Sequence, residues 1–479
     1  MTYQHGITLQ ENPTSIMSPV TSIAGLPLVV GTAPINLADI TNVNKPILCY
    51  SYNEAVDAFG MSLDFESFTL CEAIKSHFVL FNVSPIVLIN VLDPNIHKAN
   101  IKDEKQTLVN DKCSLLTLGV IAPSIKVAID GKPEPKILGT DYSVAFDTLG
   151  KCIITRIATG SIPVGAVLII NYDVLKASAV TANDIIGTID PATDKATGLM
   201  LTDEIFARFR VVIGQIIVPK YSKLAQVVAV MVARANKISG SFKAIALADI
   251  DDSVASVYSK APEWKNKNNY NDKSLLVTYG KVKLAEEKYH LSTQLASLIC
   301  KTDIDNGGIP YVSPSNKPLK TDSLLINNNE TFLTIDKANY LNGEGIITAI
   351  NFIGGWKLWG SQTSAYPAST DVKDTSLPIR RMFNWLSNTI ILTIWQKVDD
   401  PQNKRQIESV VDSLNQWLNA LKAKEVILGG RLEFKPDENP TIDLVSGISR
   451  FHLYVTPPNA MRQLDFIIEY DPSYLKGIF

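Results

Sequence analysis

Three consecutive segments decide the fold class: VVIGQIIVP (211–219), SKLAQVVAVMVARANK (222–237) and FKAIALAD (242–249). The outer two are short apolar runs with β-strand composition. The middle one carries apolar residues at helical spacing. Strand, helix and strand in succession make a βαβ unit, which predicts a parallel sheet. The turn from the first strand to the helix is Pro219–Lys220–Tyr221–Ser222. It has no glycine, so bulky side chains stand between its backbone amides and any phosphate. A dinucleotide cradle needs the opposite arrangement, and the unit reads as architectural.

On the N-terminal side the same texture extends back to residue 23. Leu28–Val29–Val30 and the region from Pro46 to Tyr50 are short strands. Ser51 precedes an acidic first helical turn with Glu54 and Asp57. Residues 68–81 predict a second helix. Residues 85–91 predict a strand apolar on both faces, as in a covered sheet. Residues 98–197 interrupt this pattern. Pro and Gly recur there between short alternating strands at 126–129, 142–146, 152–157 and 166–172, which predicts a small inserted β-rich domain. Residues 1–22 carry His5, Gly6, Pro13 and Pro19 without helical periodicity and predict an extended arm.

Toward the C-terminus, residues 275–279 predict a strand and 292–301 a helix. Residues 340–385 pack Trp356 and Trp359 beside Gly354, Gly355 and Gly360, follow them with a polar loop, and place Arg380 and Arg381 at the start of an apolar helix. Residues 401–424 carry Ile407, Val410, Val411, Leu414, Trp417, Leu418 and Leu421 on one stripe, with Pro401 where a first helical residue should be. Residues 451–456 and 464–470 alternate as two strands joined around Pro457–Pro458. The fold class expected is therefore α/β (α+β) and multi-domain. An α/β core (23–97 and 198–325) carries the inserted domain (98–197), a C-terminal α+β domain (326–479) follows, and the arms are extended.

Chemistry is sparse in this sequence. It has no Walker A motif and no G-x-S-x-G elbow. The histidines never pair at metal spacing, and the five cysteines form no C-x-x-C. The expectation is no catalytic residue, no cofactor and no metal. Asp249, Asp251 and Asp252 stand at a strand's C-terminal end, where carboxylates can hold Mg²⁺, but without a phosphate-binding loop they read rather as carboxylates that face water or cap a helix start. A net charge of −3 gives no basic footprint for nucleic acid. The start lacks a signal-peptide pattern, so synthesis and folding in the cytoplasm are expected. No run is apolar enough to insert in a membrane. Lys404, Arg405, Lys422 and Lys424 read either as a solvated helix face or as a face toward an acidic partner. Trp356 and Trp359 read either as core or as contact residues.

The runs LNGEGIITAINFIGGWKLWG (341–360), AYPASTDVKD (365–374) and RRMFNW (380–385) resemble the signature of contractile-tail sheath proteins, found in contractile phage tails and R-type bacteriocins. VTANDIIGTIDPATDKATG (180–198) resembles the family's exit from an inserted domain, and TPPNAMRQLDFIIEYD (456–471) its closing strand. The resemblance implies a structural protein that stacks as hexameric rings in a helical sheath and contracts to drive an inner tube through a cell envelope. It implies partners in itself through strand exchange, in the inner tail tube protein, and in baseplate and tail terminator proteins. It also implies a place in the mature virion or bacteriocin tail. Lys404, Arg405, Lys422 and Lys424 would then face the tube, and Trp356, Trp359, Arg380, Arg381, Phe466 and Ile468 would lie at subunit contacts. The residues alone leave two other readings open: a non-contractile tail or fibre protein, and an enzyme on the α/β core.

Overall fold

The computed structural model describes residues 20, 23–147 and 150–477. The expected N-terminal arm lies outside the described residues apart from Val20, whose backbone N–H donates to Thr393 Oγ1 at 3.1 Å.

Strands β1 (Pro27–Gly31), β2 (Ile47–Cys49) and β3 (Ile86–Asn90) open the core. The chain then leaves it for β4 (Lys98–Thr107), β5 (Lys112–Ser114), β6 (Lys126–Ile129), β7 (Tyr142–Phe146), β8 (Cys152–Arg156) and β9 (Val167–Leu175). It returns through β10 (Gln215–Ile217), β11 (Ile245–Asp249) and β12 (Leu275–Thr278). A small antiparallel sheet follows, from β13 (Lys281–Leu284), β14 (Glu287–His290), β15 (Ser323–Ile326) and β16 (Asn329–Glu330). Then come β17 (Ile346–Phe352), β18 (Gly355–Trp359), β19 (Gly429–Glu433) and β20 (His452–Thr456).

The main sheet has the order β18-β17-β12-β11-β10-β1-β3-β2. Its inner strands run parallel, and only β2 and β18 at the edges are antiparallel. Every residue of β1, β3 and β11 is buried. Helices such as Ala225–Asn236 and Leu291–Asp305, both packed on β10 and β11, cover the sheet. Full burial on both faces is why these strands read as unbroken apolar runs rather than alternating ones.

Strands β4 to β9 form two three-stranded sheets, β4-β9-β6 and β5-β8-β7, around their own core of Leu115, Ile154, Leu168 and Ile170. That core ends at Val174. Ala177, Val180, Ala182 and Ile185 already pack into the main core, so the excursion closes well before residue 197. The strand of the 340–385 stretch also lies elsewhere than expected. β17 pairs in parallel with β12, Val277 opposite Ile346, and so belongs to the core sheet and not to a separate C-terminal domain. A strand buried on both faces for five residues fits a covered sheet better than an edge. The C-terminal body is built instead on Met382, Trp385 and Leu386 from the helix Leu377–Ile394, against Leu414, Trp417 and Leu418 from the helix Lys404–Ala423. That second helix starts later than Pro401. Asn403 caps it, its side chain accepting from Gln406 N–H, and a side-chain cap satisfies a free amide where proline only removes one.

All five cysteines are buried thiols. Burial pushes Cys49, Cys71, Cys152 and Cys300 up to about 12 and Cys113 up to about 11, from an ordinary value of 9.0. The folded chain therefore keeps thiol protons that the unfolded chain releases once pH passes 9.0. This contribution to stability is complete below that pH and is lost as pH rises toward 12. Lys265 and Lys243, lowered by burial, pull the other way but are outnumbered. The melting temperature, followed by circular dichroism, is expected to fall steadily as pH is raised above 9.0. A flat profile through that range would contradict the burial of these thiols.

Candidate assembly surfaces

The stretch 340–385 forms a joint between the core sheet and the C-terminal body. Gly345 has φ +68°, and a Cβ there would sit 2.5 Å from the carbonyl oxygen of Tyr366. The chain must cross itself closely at this point, and only glycine allows it. Beneath the crossing lies Lys265, 2% exposed. Its Nζ donates to the carbonyls of Glu344 at 2.6 Å and Tyr366 at 2.9 Å. With no carboxylate bonded to it, burial lowers this amine to about 8. The lysine thus clamps the two ends of the signature loop.

Trp356 is buried, stacks on Phe332, and donates its indole N–H to the Asp322 carbonyl at 2.8 Å. Trp359 is half-buried and donates to Asn339 Oδ1 at 2.9 Å. Both indoles are bonded within the chain. Arg380 and Arg381 are also inside it. Arg381, 3% exposed, holds Asp303 with both guanidinium nitrogens, one at 2.9 Å, and also reaches the Ala24 carbonyl at 3.4 Å. Arg380 faces Asp374 at 3.4 Å. The Arg381–Asp303 pair ties the C-terminal body to the helix Leu291–Asp305 and to the chain just before β1. Leaving one member of such a buried pair without the other costs about 3–5 kcal/mol, so this joint is stiff.

The helix Lys404–Ala423 buries Val410, Leu414, Trp417, Leu418 and Leu421 and turns its charges outward. Lys404 pairs loosely with Glu408, at 3.7 Å. Lys404 and Arg405 sit at one end and Lys422 and Lys424 at the other, all exposed. At 1.5 Å per residue the two ends are about 27 Å apart, so the four cations are two patches and not one.

The largest departure from expectation is at the C-terminus. Residues 464–470 alternate like a strand, yet among the described residues they pair with nothing. Among the described residues, no backbone–backbone hydrogen bond reaches residues 461–470. Phe466 is 83% exposed and Ile468 94%. Met461, Leu464, Ile467 and Tyr470 are exposed with them. The root of this segment is fixed, through Ser376 Oγ and Asn459 Oδ1 at 3.0 Å. Beyond that the chain presents an extended backbone and a row of apolar side chains to water. Next to it in sequence, β19 and β20 make a sheet of two strands, and among the described residues both its outer edges are unpaired. Such a pair is marginal on its own, and open edges are templates for further strands.

The carboxylates after β11 are partly as expected. Asp249 is buried and accepts from Ser292 N–H at 3.1 Å, so it caps the helix Leu291–Asp305 from another element. Asp251 closes a turn by accepting from Ser253. Among the described residues, no group of three or more His, Cys, Asp or Glu side chains converges as a metal site would require. No helix among them is long and apolar enough to cross a membrane.

No family model matches the chain. The tail sheath protein of Burkholderia phage BcepMu is 28% identical to it over 494 residues, covering 99% of this chain and 98% of that protein. Among solved structures, the helical sheath of the anti-feeding prophage in its contracted state superposes with a TM-score of 0.57, at 14% identity over 98% of this chain and 99% of that one. The same prophage's baseplate in its contracted state gives 0.60, at 12% identity with the same coverage. The sheath tail protein from Desulfitobacterium hafniense gives 0.55, at 11% identity over 95% of this chain and 98% of that one. The resemblance to contractile-tail sheath proteins thus runs through the whole chain, and the mixed α/β fold is the fold of these sheath proteins.

Proposed function

We propose that this chain is the structural subunit of a contractile tail sheath. It carries no chemistry of its own and works by assembling. The observation that carries the reading is the pairing of an unsatisfied apolar arm with a two-stranded sheet open on both edges. Each subunit holds both halves of a strand interaction. Pro457–Pro458, directly after β20, resists folding the arm back onto its own hairpin. The arm of one copy therefore completes the sheet of another by strand addition, which supplies main-chain hydrogen bonds and buries Phe466 and Ile468 together. In stacked hexameric rings such links hold neighbours together while other contacts change.

In this reading, assembly stores the free energy of contraction in a kinetically trapped extended state. Release by a baseplate drives the inner tube through a cell envelope. The subunit is a component of the virion or bacteriocin tail, with terminator and baseplate proteins at its ends. The exposed cations of the helix Lys404–Ala423 face the tube. A grip that must let go suits charged, hydrated contacts, each worth about 0–1 kcal/mol, repeated over many subunits.

Truncation after Thr456 is expected to leave a folded subunit that no longer builds tubes, as seen by negative-stain micrographs beside a normal melting curve. Long regular tubes from the truncated chain would overturn the strand-addition reading. Charge reversal in the double variant Lys404→Glu and Arg405→Glu is expected to leave polymerisation intact and to make tube-filled, extended particles rare. Extended particles at the unmodified ratio would remove these two residues from the tube contact.

A further inference from the structure

Among the described residues no strand pairs with either edge of the β19–β20 sheet, yet the two edges differ. Leu432, in the middle of β19, has both backbone groups bonded to one side chain of the helix Lys404–Ala423. Its N–H donates to Asn415 Oδ1 at 2.7 Å, and its carbonyl accepts from Asn415 Nδ2 at 3.0 Å. A carboxamide offers the same donor and acceptor as a peptide unit, so Asn415 stands where a neighbouring strand would bond. A strand arriving at β19 would have to break both bonds.

The same bonds fix the ladder. Leu432 lies opposite Leu453. Because Leu432 turns its N–H and carbonyl outward, the two residues exchange no hydrogen bonds, and Leu453 turns its own groups to the other edge. Val455, two positions on and opposite Gly430, points the same way. Among the described residues, nothing beyond that edge bonds to either.

The apolar layer is unfinished on the same side. Leu432 is 4% exposed, and the helix packs on β19. Phe451, Leu453 and Val455 share its face of the sheet but are only half-buried. The other face is polar: Arg431 lies 4.0 Å from the centroid of the Tyr454 ring, and His452 stacks on that ring.

Residues 464–470 sort into the same two faces. Leu464, Phe466, Ile468 and Tyr470 alternate with Asp465, Ile467 and Glu469. Laid beside β20 with the first row toward the helix, such a strand extends the layer of Leu453 and Val455 and leaves both carboxylates in water. A slip of one residue would turn the carboxylates inward instead.

We propose that β20, and not β19, is the edge that receives the arm of a second copy, with Leu464, Phe466, Ile468 and Tyr470 turned to the helix side. The assignment rests on the strand-addition reading and gives it a direction. Asn415 blocks one edge, so each sheet takes one such arm and the links run from copy to copy without branching.

The test is disulfide mapping in assemblies of the full chain. Ile467→Cys, on the water side of the arm, is combined in turn with His452→Cys, Tyr454→Cys or Thr456→Cys on β20, and with Arg431→Cys or Glu433→Cys on β19. The five native thiols are buried and do not compete. Adjacent strands lie about 4.8 Å apart and next-but-one strands about 10 Å, too far for a disulfide. Covalent ladders on a non-reducing gel are expected from at least one β20 position and from neither β19 position. Adding Asn415→Ala should bring up ladders at β19, which loss of a merely structural contact would not do. Were that variant to unfold, the map with Asn415 in place still decides the edge. Ladders at β19 with Asn415 present would overturn the assignment and leave strand addition standing. Tubes that require the arm but cross-link at none of these positions would overturn the face assigned to it. Regular tubes from the chain truncated after Thr456 would remove strand addition itself.

Discussion

A strand-like segment whose backbone finds no partner among the described residues is the constraint on which the rest depends. Residues 461–470 place amides, carbonyls and large apolar side chains in water. Water satisfies the polar groups, so the single chain tolerates the arm, but the apolar row gains about 25 cal/mol for each Å² it buries. A second copy can satisfy both at once. The β19–β20 sheet, closed on one face by the helix Lys404–Ala423 and open along both edges, is shaped to receive it. Strand and edge are on the same molecule, so in the strand-addition proposal the demand passes from copy to copy.

A polymer that moves needs a subunit that does not deform. The arrangement around residues 340–385 gives this stiffness. Lys265 clamps the signature loop from below, and Arg381 binds Asp303 across the joint between core and C-terminal body. Each is a buried charge whose partners lie far away in sequence, and neither can shift without leaving a charge unsatisfied. In the proposed sheath, motion would then fall to the segments that leave the body.

Much of this could be read from the sequence because its signals are local. The βαβ unit shows itself in apolar runs and helical spacing, and the inserted domain in the Pro/Gly rhythm of its turns. The capping role of Asp249 was half legible: a carboxylate at a strand end does cap a helix, though the helix lies 43 positions on. What stayed hidden is long-range. Arg381 and Asp303 are 78 positions apart, Lys265 and Tyr366 101, and Glu72 and His290 218. No periodicity links such pairs. Residues 464–470 misled for another reason. Their alternation is that of a strand, but a strand exists only beside a partner, and the described residues hold none for it.

The most direct measurement is electron cryomicroscopy of the assembled protein, at a resolution that traces residues 456–470. The account predicts tubes in a long, narrow and a short, wide form. In both, residues 464–470 should lie as a strand along a β19–β20 sheet that belongs to a different copy. Tubes in which the arm pairs with its own hairpin, or in which it stays unpaired while other surfaces make every contact, would contradict it.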